Sequence, residues 1–225
     1  MSSFYQGFKT LLPIGVFVAV FGTAFAVAAL QAGLTHGEIF WMSSLVFAGA
    51  SQFGILELWG QQIPVVPLIL TVFFINARHI LMGAALYPYL KDLPALQRYA
   101  SVLLLSDANW AYADQAYQKG QSGWGLLVGG GVALWLSWIF GSVLGMYLGT
   151  FIQQPERFGL DLVMACFLLA MILGKKPNLR HVVIWLSAGV SSLVAYLYLP
   201  EHMHVVVGAL CGGLVGCVWQ EDVRK

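Results

Sequence analysis

The chain has 225 residues, 59% of them hydrophobic and 9% charged, with a mean hydropathy of +0.78 and a formal net charge of +1. This composition excludes a disordered chain and an ordinary soluble domain, and it points to an integral membrane protein. The balanced charge offers no basic field, so nucleic acid is not an expected partner.

Eight apolar runs of roughly spanning length follow one another, at about 11–33, 38–59, 63–90, 97–115, 124–151, 158–174, 180–199 and 203–220. A spanning helix needs about 20 residues. The third and fifth runs are therefore long enough to tilt or break, and the sixth is marginal. The polar breaks between runs leave no room for a large soluble domain. The expected fold is an all-α, polytopic membrane helix bundle of eight spans, one transmembrane domain over residues 1–225. Seven spans, with the second or sixth run re-entrant, is the alternative. The first run follows Lys9 and is long enough for a spanning anchor rather than a cleaved signal peptide. With the N-terminus inside, Lys9, Lys119, Lys175, Lys176, Arg180, Arg224 and Lys225 fall on the cytoplasmic side and Lys91, Arg98 and Arg157 outside. That imbalance favours this orientation.

In the second run, residues 47–54 read FAGASQFG. Glycines flanking Ser51 and Gln52 suit a helix that either packs very tightly or unwinds to expose backbone groups. Gln52 is a bulky amide that needs partners inside a bilayer. Glu38 and Glu57, near the ends of this run, read as interfacial.

The third run carries the most informative stretch, TVFFINARHILM at 71–82. An arginine in mid-membrane costs roughly 2.5 to 3.5 kcal/mol on insertion scales, so it faces a protein interior or a water-filled cavity with a partner. On a regular helix Asn76 and Arg78 lie about 200° apart, and His79 about 60° from Asn76. They cannot all line one cavity without distortion. Either the helix breaks near Ile75 to Arg78, or Asn76 and His79 share one polar contact while Arg78 serves another. A purely structural role for Arg78, clamping neighbouring helices through a buried carboxylate, is the competing account.

The fourth run supplies the counter-charge: Ser106, Asp107 and Asn109, then Trp110 and Asp114. Asp107, Trp110 and Asp114 fall on one helical face, with Asp107 the deeper carboxylate and Asp114 interfacial. A carboxylate within a membrane can carry protons unless a cation holds it ionised.

Gly141, Gly145 and Gly149 in the fifth run, and Gly208, Gly212 and Gly216 in the eighth, form small-residue seams where a second helix can approach closely. Internal packing is the expected use, and reception of a separate subunit the alternative. Phe21-Gly22-Thr23 and Phe140-Gly141-Ser142 share a short likeness, compatible with internal duplication. Asp161 in the sixth run can complement a helix N-terminus. Cys166, Cys211 and Cys217 lie in apolar sequence without C-x-x-C spacing and read as packing residues, with no disulfide framework, metal site or cofactor expected. Neither a phosphate-binding G-x-x-x-x-G-K-[ST] nor H-E-x-x-H nor G-x-S-x-G occurs, so no enzyme is expected. No lysine lies within the last two runs, which argues against a retinal Schiff base.

FAGASQFG, TVFFINARHILMGAALYP, the Leu105-Ser106-Asp107 triplet and GLDLVMACF at 159–167, in this order and spacing, resemble the AzlC family of branched-chain amino acid exporters. The resemblance covers nearly the whole chain, and Asn-x-Arg-His is its most specific part. It implies export of valine, leucine, isoleucine and sometimes methionine across the bacterial inner membrane, with a small membrane subunit of the AzlD type. The chain itself has no ATPase motif, so an ion gradient, most plausibly of protons, is the expected energy source. Ala77 stands where many relatives carry leucine, which leaves open the face that Arg78 uses.

An amino acid crosses as a zwitterion and needs a cation for its carboxylate and acceptors for its ammonium. The residues expected to serve it are Arg78 for the carboxylate, Asp107 for the ammonium or the coupled proton, and Ser51, Gln52 and Asn76 for hydrogen bonds. Phe53, Phe73, Phe74 and Trp110 are the expected apolar wall. His79 is either a proton relay or a hydrogen-bonding strut. The rival expectations are a non-transporting scaffold, in which Arg78 and Asp107 are only a structural pair, and an enzyme built on Ser51 and His79.

Overall fold

The computed structural model describes residues 3–56, 58–60, 65–121, 123–149, 151, 178–199 and 203–219. Among the described residues every regular element is a helix: α1 (Ser3–Gln31), α2 (His36–Leu45), α3 (Gly49–Leu56), α4 (Val65–Asn76), α5 (Arg78–Leu90), α6 (Ala95–Leu103), α7 (Asp107–Gln118), α8 (Trp124–Leu148), α9 (Leu179–Tyr198) and α10 (Met203–Val218). Among the described residues, four stretches are long and apolar enough to cross a membrane: Ser3–Gln31, Val65–Leu90, Trp124–Leu148 and Leu179–Tyr198. The chain is a helical, multi-pass membrane protein. The sixth apolar run, with Asp161 and Cys166, lies outside the described residues, as does Glu57.

The packing centre is the pair α1 and α8. Their small residues meet along the whole length. A methyl group at Gly129 would strike the Phe4 carbonyl, one at Gly141 the Ala19 carbonyl, and one at Gly145 the Thr23 carbonyl. Leu30 lies against Gly149. Early residues of one helix thus meet early residues of the other, so α1 and α8 run parallel. Between them the chain must cross the membrane an odd number of times. The two likeness segments face each other here: Thr23 Oγ1 donates to the Gly141 carbonyl at 3.0 Å and to Ala19 at 2.9 Å. The first glycine seam is therefore an internal interface. So is the second, since Gly208 and Gly212 of α10 sit against Ala188 and Ser192 of α9, and Arg180 Nη2 donates to the Gly216 carbonyl at 2.8 Å. Cys211 and Cys217 are free thiols.

Breaks in the helices are more numerous than the expectation of one at Asn-Ala-Arg-His. The second run divides at Val46–Ala48 and the fourth at Leu104–Ser106, each into two short helices. At the first, Gly49 passes so close to Trp138 and Phe21 that a methyl group would lie 2.9 Å from Trp138 Cη2. At the second, the fully buried Asn109 substitutes its amide for helical bonds: it accepts from the Ser106 N–H at 2.7 Å and donates to the carbonyls of Leu104 (2.8 Å) and Leu127 (3.3 Å). A side chain that competes this way releases the backbone from the helix. The interruption between α4 and α5 is mild. Ala77 keeps helical angles (φ −55°, ψ −27°), and tight three-residue bonds, Ala77 N–H to Phe74 and Ile80 N–H to Ala77, bridge it.

Candidate functional site

The three interruptions converge on one cavity of about 150 Å³. Phe47, Ala48, Gly49 and Ala50 bring the start of α3 to it, Arg78 and His79 the start of α5, and Ser106, Asp107 and Ala108 the start of α7. Val18 and Phe21 of α1 and Leu134 and Trp138 of α8 close the apolar side. A helix start presents unsatisfied N–H groups and the positive end of the dipole, so the polar side favours an anionic group. α7 follows the extended Ser106 (φ −140°, ψ 165°), whose capping box with Asn109 already satisfies the Ser106 and Asn109 N–H groups, and α3 follows the non-helical residues 46–48, so both are helix N-termini, that of α7 in part closed.

Arg78 Nη1 and Asp107 Oδ2 are 3.0 Å apart, with side-chain exposures of 27% and 37%. They are neither sealed in solid packing nor open to bulk solvent; the pair forms part of the cavity wall. Asp107 is the first residue of α7, where a carboxylate complements the dipole. His79 Nδ1 lies 3.1 Å from the Asn76 carbonyl. The helix breaks at Ala77, between α4 and α5, the first of the two arrangements open from the sequence: Arg78 and His79 both line the cavity, while the Asn76 side chain turns to Ser51.

Of the other residues expected from sequence, none lines this cavity. The Ser51 hydroxyl donates to the Ala48 carbonyl at 2.9 Å and accepts from Asn76 Nδ2 at 3.1 Å. These bonds tie the α2–α3 break to the end of α4, behind the cavity wall. Gln52 is fully buried, and its amide has no hydrogen-bond partner among the described residues. Phe53 stacks on Phe21 at 4.9 Å and edges Phe25 at 5.6 Å, so it backs the wall rather than forming it. Trp110 packs with Leu86, Leu105, Leu126 and their neighbours. Phe73 is largely exposed and meets Phe74 edge-on at 5.5 Å. Asp114 is bonded to Gln118 at 2.7 Å on an exposed face. Asp107 reaches the cavity from the first residue of α7, whereas Trp110, one turn further along the same helix, packs into a neighbouring cluster. Sequence reasoning missed Phe21, Leu134 and Trp138. Apolar residues in apolar helices carry no local signal; only the cavity they line singles them out, with Phe21 and Trp138 also packed against Gly49.

Comparison with known proteins adds the following. Residues 13–152, more than half of the chain, match the family model described as AzlC protein. The chain is 24% identical to the Inner membrane protein YgaZ of Escherichia coli (strain K12), an alignment spanning 97% of this chain and 93% of that one. It is 27% identical to an uncharacterized membrane protein of Archaeoglobus fulgidus (94% and 93% covered) and 22% identical to one of Helicobacter pylori strain J99 (92% of each). No solved structure matches.

Proposed function

Because this chain belongs to the AzlC family, we propose that it is a secondary transporter, not an enzyme, that exports branched-chain amino acids across the bacterial inner membrane. Valine, leucine and isoleucine are the substrates, with methionine a further candidate, and the driving ion is the proton. The observation that carries this reading is the Arg78–Asp107 pair on the wall of a small cavity ringed by three helix starts and backed by rings. The two ends of a zwitterion match the two ends of that pair. A substrate carboxylate takes Arg78 together with the N–H groups of α3 and α7, and its ammonium takes Asp107. Separation of the pair then leaves Asp107 free to exchange a proton when the substrate leaves. His79, on the same wall, is the second candidate for that exchange. Ser51, Asn76 and Asn109 hold the broken segments in place. A small membrane subunit of the AzlD type is the proposed partner, and no cofactor is required.

Counterflow of labelled valine into proteoliposomes tests the reading, with and without the co-expressed small subunit. Arg78→Ala and Asp107→Asn, each in folded protein, should abolish it. Normal counterflow by both variants would sink the assignment. Export indifferent to an imposed pH gradient would remove proton coupling alone.

A further inference from the structure

We infer that Trp138, seated against Gly49 at the start of α3, determines which side chains the cavity accepts, admitting short aliphatic ones and excluding aromatic ones. This inference rests on the transport reading above and adds the residue that sets its selectivity. The cavity of about 150 Å³ falls well below the roughly 300 Å³ at which ordinary small-molecule pockets begin. Its polar side is committed to charge and to helix ends, so the size limit lies on the side formed by Val18, Phe21, Leu134 and Trp138.

Trp138 cannot yield. Its exposure is 2%, Phe25 stacks on it at 5.7 Å, and Phe21 meets it edge-on at 5.6 Å. At Gly49 an added methyl would lie 2.9 Å from Cη2 and 3.1 Å from Cζ3, so the far edge of the indole is pressed against the backbone that turns into α3. Closely packed interiors transmit such contacts rather than absorb them. The indole edge therefore fixes at once where the α3 start lies and how deep the apolar end reaches. A phenyl side chain would have to displace a ring that is held on three sides.

Counterflow in proteoliposomes tests this, read as the ratio of labelled phenylalanine to labelled leucine exchanged by the same preparation. Trp138→Phe removes the edge that touches Gly49 and should raise that ratio about ten-fold or more, the scale on which pocket size discriminates. Gly49→Ala, whose methyl meets a ring that is held in place and so shifts the start of α3 against the cavity, should lower it. If Trp138→Phe does not fold, Val18→Ala widens the same side from α1 and should move the ratio in the same direction. A ratio unchanged within about two-fold in every folded variant, on the same scale, overturns the inference while leaving transport intact. Absence of leucine counterflow by the unaltered protein overturns both readings together.

Discussion

At the residue scale, the Arg78–Asp107 pair separates a structural clamp from a working site. Each charge compensates the other across 3.0 Å, so removing one leaves the other less well compensated. Arg78→Ala or Asp107→Asn alone should cost about 1–3 kcal/mol, less than the 3–5 of a fully buried pair because both groups keep some exposure. Thermal unfolding in detergent checks this, and the double variant Arg78→Met with Asp107→Leu should regain most of the loss. Transport should stay absent in the double variant; its return would make the pair a structural clamp. Asn109 is the complementary case. Its amide makes four hydrogen bonds, the fourth accepted from Ser106 Oγ at 3.2 Å, that hold the α6–α7 break, so Asn109→Ala should cost about 2 kcal/mol through unsatisfied backbone groups. It should also weaken valine counterflow by releasing the start of α7 that carries Asp107.

At the scale of elements, the glycines sort into those that touch a neighbouring backbone and those that do not. Gly141 and Gly145 lie where α1 carbonyls leave no room for a methyl group, whereas a methyl at Gly189 or Gly213 would meet nothing within 4 Å among the described residues. Gly141→Ala should therefore push α1 and α8 apart and cost about 1–3 kcal/mol. Gly189→Ala should be neutral or stabilising by up to about 1 kcal/mol, because alanine is the better helix former. Comparing the unfolding midpoints of the two variants checks both, and equal effects would contradict the seam. The three broken helices carry the same lesson. Each interruption is held by something outside its own segment: Trp138 and Phe21 at Gly49, Asn109 and the Leu127 carbonyl at Leu104–Ser106, and Ser51 at Asn76.

At the scale of the molecule, the parallel course of α1 and α8 fixes which loops share a side. Ser3 lies beside Gly123 and Gly125, Gln6 Nε2 reaches Gln121 Oε1 at 3.4 Å, and at the opposite end the His36 ring lies 3.4 Å from the Met146 carbonyl. In a protein freed of its native cysteines, Gln121→Cys and Ser3→Cys should label with a membrane-impermeant maleimide from the same face, and Gly33→Cys from the other. Right-side-out and inverted vesicles provide the comparison, and the lysine distribution assigns the first face to the cytoplasm. Labelling of Gln121→Cys and Gly33→Cys from one face would contradict the parallel pair.

The sequence alone determined the membrane class, the all-helical character and the family, and it singled out the Arg78 and Asp107 charges that the structure brings together, because composition and the cost of an arginine in hydrocarbon are local quantities. It also located Asn109 and both glycine seams, though not the bonds that Asn109 makes. What only the tertiary structure decided is which residues meet. The irregular segments at 46–48 and 104–106 depend on partners more than 80 residues away for one and about 20 for the other, and no window of sequence contains such a contact. Once those segments leave the helix, every face beyond them is re-aimed. The packing of whole helices likewise leaves Phe53 and Trp110 behind the cavity while Phe21 and Trp138 line it, and no single helix's spacing contains that.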